Sequence, residues 1–201
     1  MRLVLASGNR GKLAEFAALL RPLEITLLPQ SDFNVGEVAE PHSTFIENAI
    51  AKARHVCRVS GLPALADDSG LCVPALGGAP GIRSARYADG AGADRSDERN
   101  NARLLSELDG QKDRRAVFVC VLALLRDADD PRPVIAEGEW EGEILTAPRG
   151  RHGFGYDPLF LIPDLGQTAA ELDADTKNVL SHRAIAARRL MARLATEFPC
   201  R

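Results

Sequence analysis

Four groups of residues have types and spacings suited to chemistry. The first is Ser7-Gly8-Asn9-Arg10-Gly11-Lys12, directly behind the apolar run at 3–6 and ahead of a helical pattern. Gly8 and Gly11 admit backbone shapes closed to other residues, so amides can turn toward an anion while the following helix presents its positive end. Lys12 would oppose the helix dipole there unless an anion sits beside it. The spacing is not the complete G-x-x-x-x-G-K-[ST] loop, and a plain glycine turn before a helix is the competing reading.

The second group is Asp67-Asp68-Ser69-Gly70, read as an abrupt end to the apolar stretch at 62–66. Paired carboxylates at a strand end can hold Mg²⁺ through oxygen ligands, and Glu40 and Glu47 upstream add to the acidic set. An aspartate-capped turn is the alternative. Third comes Gly153-Phe154-Gly155-Tyr156-Asp157-Pro158, where flexible glycines would let an aromatic ring lie against a base and Asp157 accept from ring N–H groups. A structural β-turn competes with that reading. The last group is Lys177-Asn178 with Ser181-His182-Arg183 at a helix start, where Ser181 reads as an N-cap and the basic residues oppose the dipole unless an acceptor is present. His182 as a single buried imidazole is the plain alternative. Together the four groups supply the parts a nucleoside triphosphate needs: a phosphate cradle, metal carboxylates, a base platform and further cations.

The elements that must position these groups follow from periodicity. Residues 3–6 read as a buried strand, with Leu13, Phe16, Ala17 and Leu20 at helical spacing after the loop. Thr44-Phe45-Ile46-Glu47 is a capping box opening a helix whose inner face is Ile46, Ala49, Ile50, Ala53 and Cys57, with Gly61 as the stop. Residues 88–94 suggest a surface loop, leading to a helix from about Asp97 with Asn101, Leu104, Leu105 and Leu108 inside. Residues 116–125 are the clearest strand, with 133–138 and 143–146 as two partners beside it. A final helix near Ser181 carries Ala187, Leu190, Met191, Leu194, Ala195 and Phe198 on one face. This mixture predicts one α/β domain over residues 1–201, its sheet part parallel and part antiparallel.

Composition narrows the function classes. The 201 residues are 45% hydrophobic and 26% charged, ordinary for a globular protein able to bury a sizeable core. The longest apolar runs are far shorter than a membrane span, and the opening residues read as a strand instead of a cleavable signal, so a soluble cytoplasmic protein is expected. Cys57, Cys72, Cys120 and Cys200 show no zinc-ligand spacing and read as reduced thiols. A net charge of -3 argues against binding a nucleic-acid polymer while leaving room for a small polyanion in a local basic pocket.

The blocks LASGNRGKLAEF, TFIENAIAKA, ALADDSGLCVPALGGAPGIRSARYA, GFGYDPLF, TAAEL and KNVLSHRAIA resemble, in order and along nearly the whole chain, the inosine triphosphate pyrophosphatases, also called XTP/dITP diphosphatases. The resemblance implies a homodimer of α/β protomers, each with a central mixed sheet, flanking helices and two lobes around a nucleotide-binding cleft. It implies hydrolysis of ITP, dITP and XTP to the monophosphate and pyrophosphate with Mg²⁺. Carried over by residue, Ser7, Gly8, Asn9, Arg10, Gly11 and Lys12 contact the triphosphate. Asp68 is the proton acceptor and a Mg²⁺ ligand, and Glu40 falls near a second metal carboxylate. Lys52 contacts phosphate and Ser69 lies against the substrate. Phe154, Gly155, Tyr156 and Asp157 form the base pocket, closed by Lys177, His182 and Arg183. Thr176 departs from the family's frequent acidic residue at that place, while Lys177 itself is kept.

The chemistry this implies is in-line attack of water on the α-phosphorus with Asp68 as base. Donors from Arg183, the His182 ring or backbone amides would suit a 6-oxo purine and meet the 6-amino group of ATP donor to donor. A P-loop-type phosphotransferase would need the complete loop that is missing, and a non-catalytic nucleotide-binding module would have no use for Asp68 and Glu40.

Overall fold

A computed structural model describes residues 2–21, 25–36, 38, 40–88 and 96–197. Its centre is a seven-stranded sheet in the order β2-β1-β3-β4-β5-β6-β7. The strands are β1 (Arg2–Ala6), β2 (Thr26–Pro29), β3 (Ala64–Cys72), β4 (Arg115–Leu125), β5 (Val134–Ile144), β6 (Phe160–Ile162) and β7 (Gln167–Thr168). The helices are α1 (Arg10–Leu20), α2 (Phe45–Ser60), α3 (Asp97–Glu107), α4 (Ala174–Leu180) and α5 (His182–Glu197). β1 pairs in parallel with β2 and β3, whereas β5–β6 and β6–β7 are antiparallel, so the mixed α/β sheet expected from the sequence is present. β1 reads as a continuous apolar run because a central parallel strand is covered on both faces. Pro29 is tolerated because β2 ends the sheet and has a single neighbour.

The chain divides into two compact units, one made of Met1–Asp68, Cys120–Gly138 and Ser181–Arg201, the other of Ser69–Val119 and Glu139–Leu180. The core of unit 1 gathers Leu3, Leu5, Phe16, Leu65, Leu122 and Leu190, with α1 packed on α5. Unit 2 centres on Phe118, Trp140 and Phe160, with Phe118 and Trp140 lying 4.5 and 5.3 Å from the Phe160 ring centroid, and Leu104 and Leu108 anchoring α3 among them.

Helix α2 follows its capping signals. Thr44 accepts from the Glu47 amide, and Gly61, left-handed at φ 68°, closes the end. Ile46 departs from the expected inner face and is 39% exposed, because the buried stripe runs through Asn48, Ala49, Lys52, Ala53, Val56 and Cys57. On α3 the buried positions are Asn100 and Leu104, with Asn101 and Leu105 half-buried. The surface loop expected at 88–94 lies, beyond Ala88, outside the described residues, as does Phe198.

Two strand expectations change. β3 does not stop before Asp67 but runs through Asp67-Asp68-Ser69-Gly70 to Cys72, since each aspartate has a cationic partner that makes its burial tolerable. The two strands expected at 133–138 and 143–146 are one, β5, in which Trp140 and Ile144 are buried and Glu139, Glu141 and Glu143 face water. Its glycines mark close approach and not turns. A Cβ on Gly138 would lie 2.1 Å from the His182 carbonyl oxygen, and one on Gly142 2.5 Å from that of Leu161.

Candidate active site

In unit 1 the loop after β1 is tied to itself. The Asn9 amide donates to Ser7 Oγ at 3.2 Å, and Asn9 caps α1 by accepting from the Lys12 amide at 3.1 Å. The cap accounts for one amide of the first turn, whose N–H groups a helix does not satisfy itself and which suit an anion. Gly8 does not use a left-handed conformation, contrary to expectation; what it supplies is space, for a Cβ there would meet nothing within 4 Å. Arg10 opens the helix, and its side chain lies outside those described.

β3 sets the charges. Successive strand residues point to opposite faces, and the two aspartates have separate partners. Asp67 is fully buried, accepting from Lys12 at Oδ1 and lying 3.7 Å from Arg183 Nε and 3.7 Å from the Cys120 thiol at Oδ2. Arg183, in turn, is held by Glu15 at 3.0 Å. Burial pushes the Asp67 carboxyl up, but the charges of Lys12, Arg183 and Lys52 outweigh it and hold the group well below the usual carboxylate range. With its oxygens so committed, Asp67 is an anchor for cations.

Asp68 meets Lys52 instead. The Lys52 ammonium lies 2.8 Å from Asp68 Oδ1 and 2.9 Å from Glu40 Oε1, bridging the two carboxylates. Burial pulls the Lys52 ammonium down, but the charges of Asp68, Glu40 and Asp67 outweigh it and set it above its ordinary value. Burial pushes Asp68 up from its ordinary value against the pull of Lys52. The Glu40 segment is fixed on α2 by Asn48, which accepts from the His42 amide at 3.1 Å and donates to its carbonyl at 3.3 Å. Glu47 joins no metal set; its carboxylate accepts from Thr44 at 2.7 Å in the capping box.

Asp68 Oδ2 is buried and has no hydrogen-bond partner among the described residues. A carboxylate oxygen left so costs about 1–3 kcal/mol or more, so the position is suited to a ligand that completes it. Asp68 and Glu40, which share Lys52, offer hard carboxylate oxygens of the kind a magnesium ion prefers, and such an ion keeps most of its waters and needs only one or two carboxylates. No cluster of three metal-ligating side chains occurs among the described residues. Asp68 and Glu40 therefore fit a divalent ion.

In unit 2, the segment 153–157 is a turn held at every step. The Phe154 amide donates to Asp157 Oδ2 at 2.9 Å, and Lys177 donates to the same oxygen at 2.6 Å while its ammonium stands 5.3 Å from the Phe154 ring centroid. Gly153 is left-handed, at φ 78°, and a Cβ there would strike Asp157. Tyr156 is buried, its hydroxyl donating to the Ser84 carbonyl at 2.8 Å, so Phe154 is the aromatic of the turn that keeps partial exposure. Two residues on α3 grip Gly155. Asp97 Oδ2 accepts from its amide at 2.6 Å, and Asn101 Nδ2 donates to its carbonyl at 3.0 Å. Asn101 Oδ1 is buried without a hydrogen-bond partner among the described residues.

The structure thus gathers Lys12, Glu40, Lys52, Asp68, His182 and Arg183 in unit 1, and Ser69, Phe154, Gly155, Tyr156, Asp157 and Lys177 in unit 2. Within unit 1, Arg183 lies with Lys12 on Asp67, and within unit 2 Lys177 pairs with Asp157. His182 begins α5 with its carbonyl against Gly138. Glu15, Asp97 and Asn101 were not singled out as site residues; polar residues four apart at 97 and 101, interrupting the apolar face of a helix, were the available signal.

The model of the Ham1 family matches residues 3–193. The dITP/XTP pyrophosphatase of Aromatoleum aromaticum is 65% identical over 195 residues, covering 97% of each chain. That of Burkholderia pseudomallei is 63% identical over 193 residues, 96% of this chain and 93% of the relative. Among solved structures, a HAM1 protein from Coxiella burnetii superposes with a TM-score of 0.89 at 49% identity, covering 98% of this chain and 99% of that one. A nearly full-length family match, relatives of this identity and a shared fold lead to one conclusion: the chain belongs to the Ham1 family.

Proposed function

We propose that this chain hydrolyses non-standard purine nucleoside triphosphates, ITP, dITP and XTP, to the monophosphate and pyrophosphate, removing them from the nucleotide pool. The observation that carries the reading is the division of labour on β3. Asp68 keeps a buried carboxylate oxygen that bonds to none of the described residues, while its neighbour Asp67 secures Lys12 and Arg183. One carboxylate is left for proton transfer, and two cations are fixed for the nucleotide. The relatives named dITP/XTP pyrophosphatase support the same substrate class.

In this reading the 7–12 loop, Lys12 and Lys52 take the polyphosphate, and Ser69 contacts the substrate. The turn at 154–157 with Lys177 takes the base, Phe154 stacking on it. His182 and Arg183 at the start of α5 offer donors to the 6-oxo group, where the 6-amino group of ATP would set donor against donor. Asp68 takes the proton of a water attacking the α-phosphorus in line; the bond from that phosphorus to the bridging oxygen breaks and pyrophosphate leaves. Lys12 and the first-turn amides of α1 offset the charge that develops on the phosphate oxygens. Mg²⁺, held by Asp68 and Glu40, would add charge neutralisation there when bound. The resemblance to the inosine triphosphate pyrophosphatases supports a homodimer working in the cytoplasm. None of the described helices is long and apolar enough to cross a membrane.

Hydrolysis of ITP, dITP, XTP, GTP and ATP with Mg²⁺, monitored separately for pyrophosphate and orthophosphate, tests the proposal. Pyrophosphate from ITP is expected, with rejection of ATP by up to ~10⁴-fold. Asp68→Asn should lower kcat by about a hundredfold or more, the scale of a general base. Orthophosphate as the product, or near-normal turnover in that variant, overturns the assignment.

A further inference from the structure

Gly155 stands between Phe154 and Tyr156 in a segment whose glycines at 153 and 155 are both left-handed, at φ 78° and 63°. Two such glycines give the turn many accessible conformations, and Gly155 has no side chain with which to hold itself. A Cβ there would meet nothing within 4 Å, so its surroundings do not confine it sterically either. What confines it is α3, through the Asp97 carboxylate on its amide at 2.6 Å and the Asn101 amide on its carbonyl at 3.0 Å. Residues four apart share one helix face, so both contacts come from a single rigid support. Leu104 and Leu108 lock that support into the core of unit 2. Asn100 fixes it again, accepting from the Ala88 amide at 2.8 Å and donating to the Ala85 carbonyl at 3.3 Å.

Neither residue caps the helix. Ser96 already caps α3, accepting from the Arg99 amide at 3.2 Å. Asn101 makes the Gly155 contact with its own Oδ1 buried and bonded to none of the described residues, a poor arrangement for a residue whose only duty is to fill space.

We propose that Asp97 and Asn101 are positioning residues for base recognition: by gripping both backbone groups of Gly155 they fix the turn at 154–157 and thereby the angle at which Phe154 meets the purine. This rests on the assignment of that turn to the base in the proposed function. The consequence is specific. Loosening the grip affects which base is held and how tightly, and leaves the phosphate chemistry at Asp68 unchanged.

The full-length protein decides the matter through two independent readouts. Residue-resolved amide hydrogen exchange without nucleotide reads the grip itself, and exchange at Gly155 should be at least about tenfold faster in Asp97→Ala, the scale for losing one charge-assisted hydrogen bond. Steady-state hydrolysis of ITP and ATP reads the function. Asp97→Ala and Asn101→Ala should raise KM for ITP about tenfold and lower the ITP-to-ATP ratio of kcat/KM by a similar factor, with kcat within about twofold. Asp97→Asn keeps an acceptor for the Gly155 amide while losing the charge, so it should recover most of the discrimination. It also serves if the alanine variant fails to fold. A fall in melting temperature with KM and discrimination unchanged, a loss confined to kcat, or unaltered Gly155 exchange each overturns the proposal. If the wild-type protein releases no pyrophosphate from ITP, the functional reading fails instead, and the exchange experiment still reports whether the grip exists.

Discussion

Asp67 has its oxygens committed to Lys12, Arg183 and Cys120 inside the protein, which makes it the residue on which the cations of unit 1 depend. Asp67→Asn should strand those charges and cost about 3–5 kcal/mol, the scale for breaking one side of a buried ion pair. Because the folded-state carboxyl is depressed, its contribution is complete above the ordinary aspartate value and is lost as pH falls through the folded one. Denaturant titrations should therefore show a full wild-type advantage at neutral pH that shrinks below about pH 4. An advantage independent of pH would separate Asp67 from the cations. The sequence made the acidic pair visible, but not its division of roles. Which aspartate meets Lys52 and which meets Lys12 depends on side-chain alternation along β3 and on helices drawn from remote stretches, and adjacency in the chain carries neither.

At the scale of elements, the legible parts were those whose signals are local. The Thr44–Glu47 capping box and Gly61 delimit α2, and the apolar run of β4 stands out by composition. β2, β6 and β7 escaped notice because two to four residues are too few to show a period, and α4, seven residues from 174 to 180, is barely two turns. β5 was divided because glycine inside a strand pattern reads as a break, whereas Gly138 and Gly142 are places where other backbone comes too near for a side chain. Gly138→Ala tests this directly. Its methyl would press on the His182 carbonyl and the Ala186 amide, shifting the start of α5 on which Arg183 rides. A loss of about 1–3 kcal/mol, seen as a lower melting temperature, should come with a raised KM for ITP. Unchanged values in both would show that α5 yields at no cost.

On the scale of the whole molecule, a chain of net charge -3 sets Lys12, Lys52 and Arg183 against carboxylates within unit 1 and Lys177 against Asp157 within unit 2. Its thiols report on folding as a unit. Cys57 and Cys120 are buried, and burial pushes the Cys57 thiol up to about 11, so both should resist a thiol reagent at pH 8 until the chain opens. With labelled positions located by mass spectrometry, ITP analogue that binds only the folded state should slow modification of both by the factor 1 + [L]/Kd. Labelling indifferent to the analogue would mean that these sites open without global unfolding. The three-segment composition of unit 1 and two-segment composition of unit 2 have a further result. Neither unit corresponds to an uninterrupted piece of the chain, so a single cut cannot release either one and one contiguous exchange cannot transplant it whole.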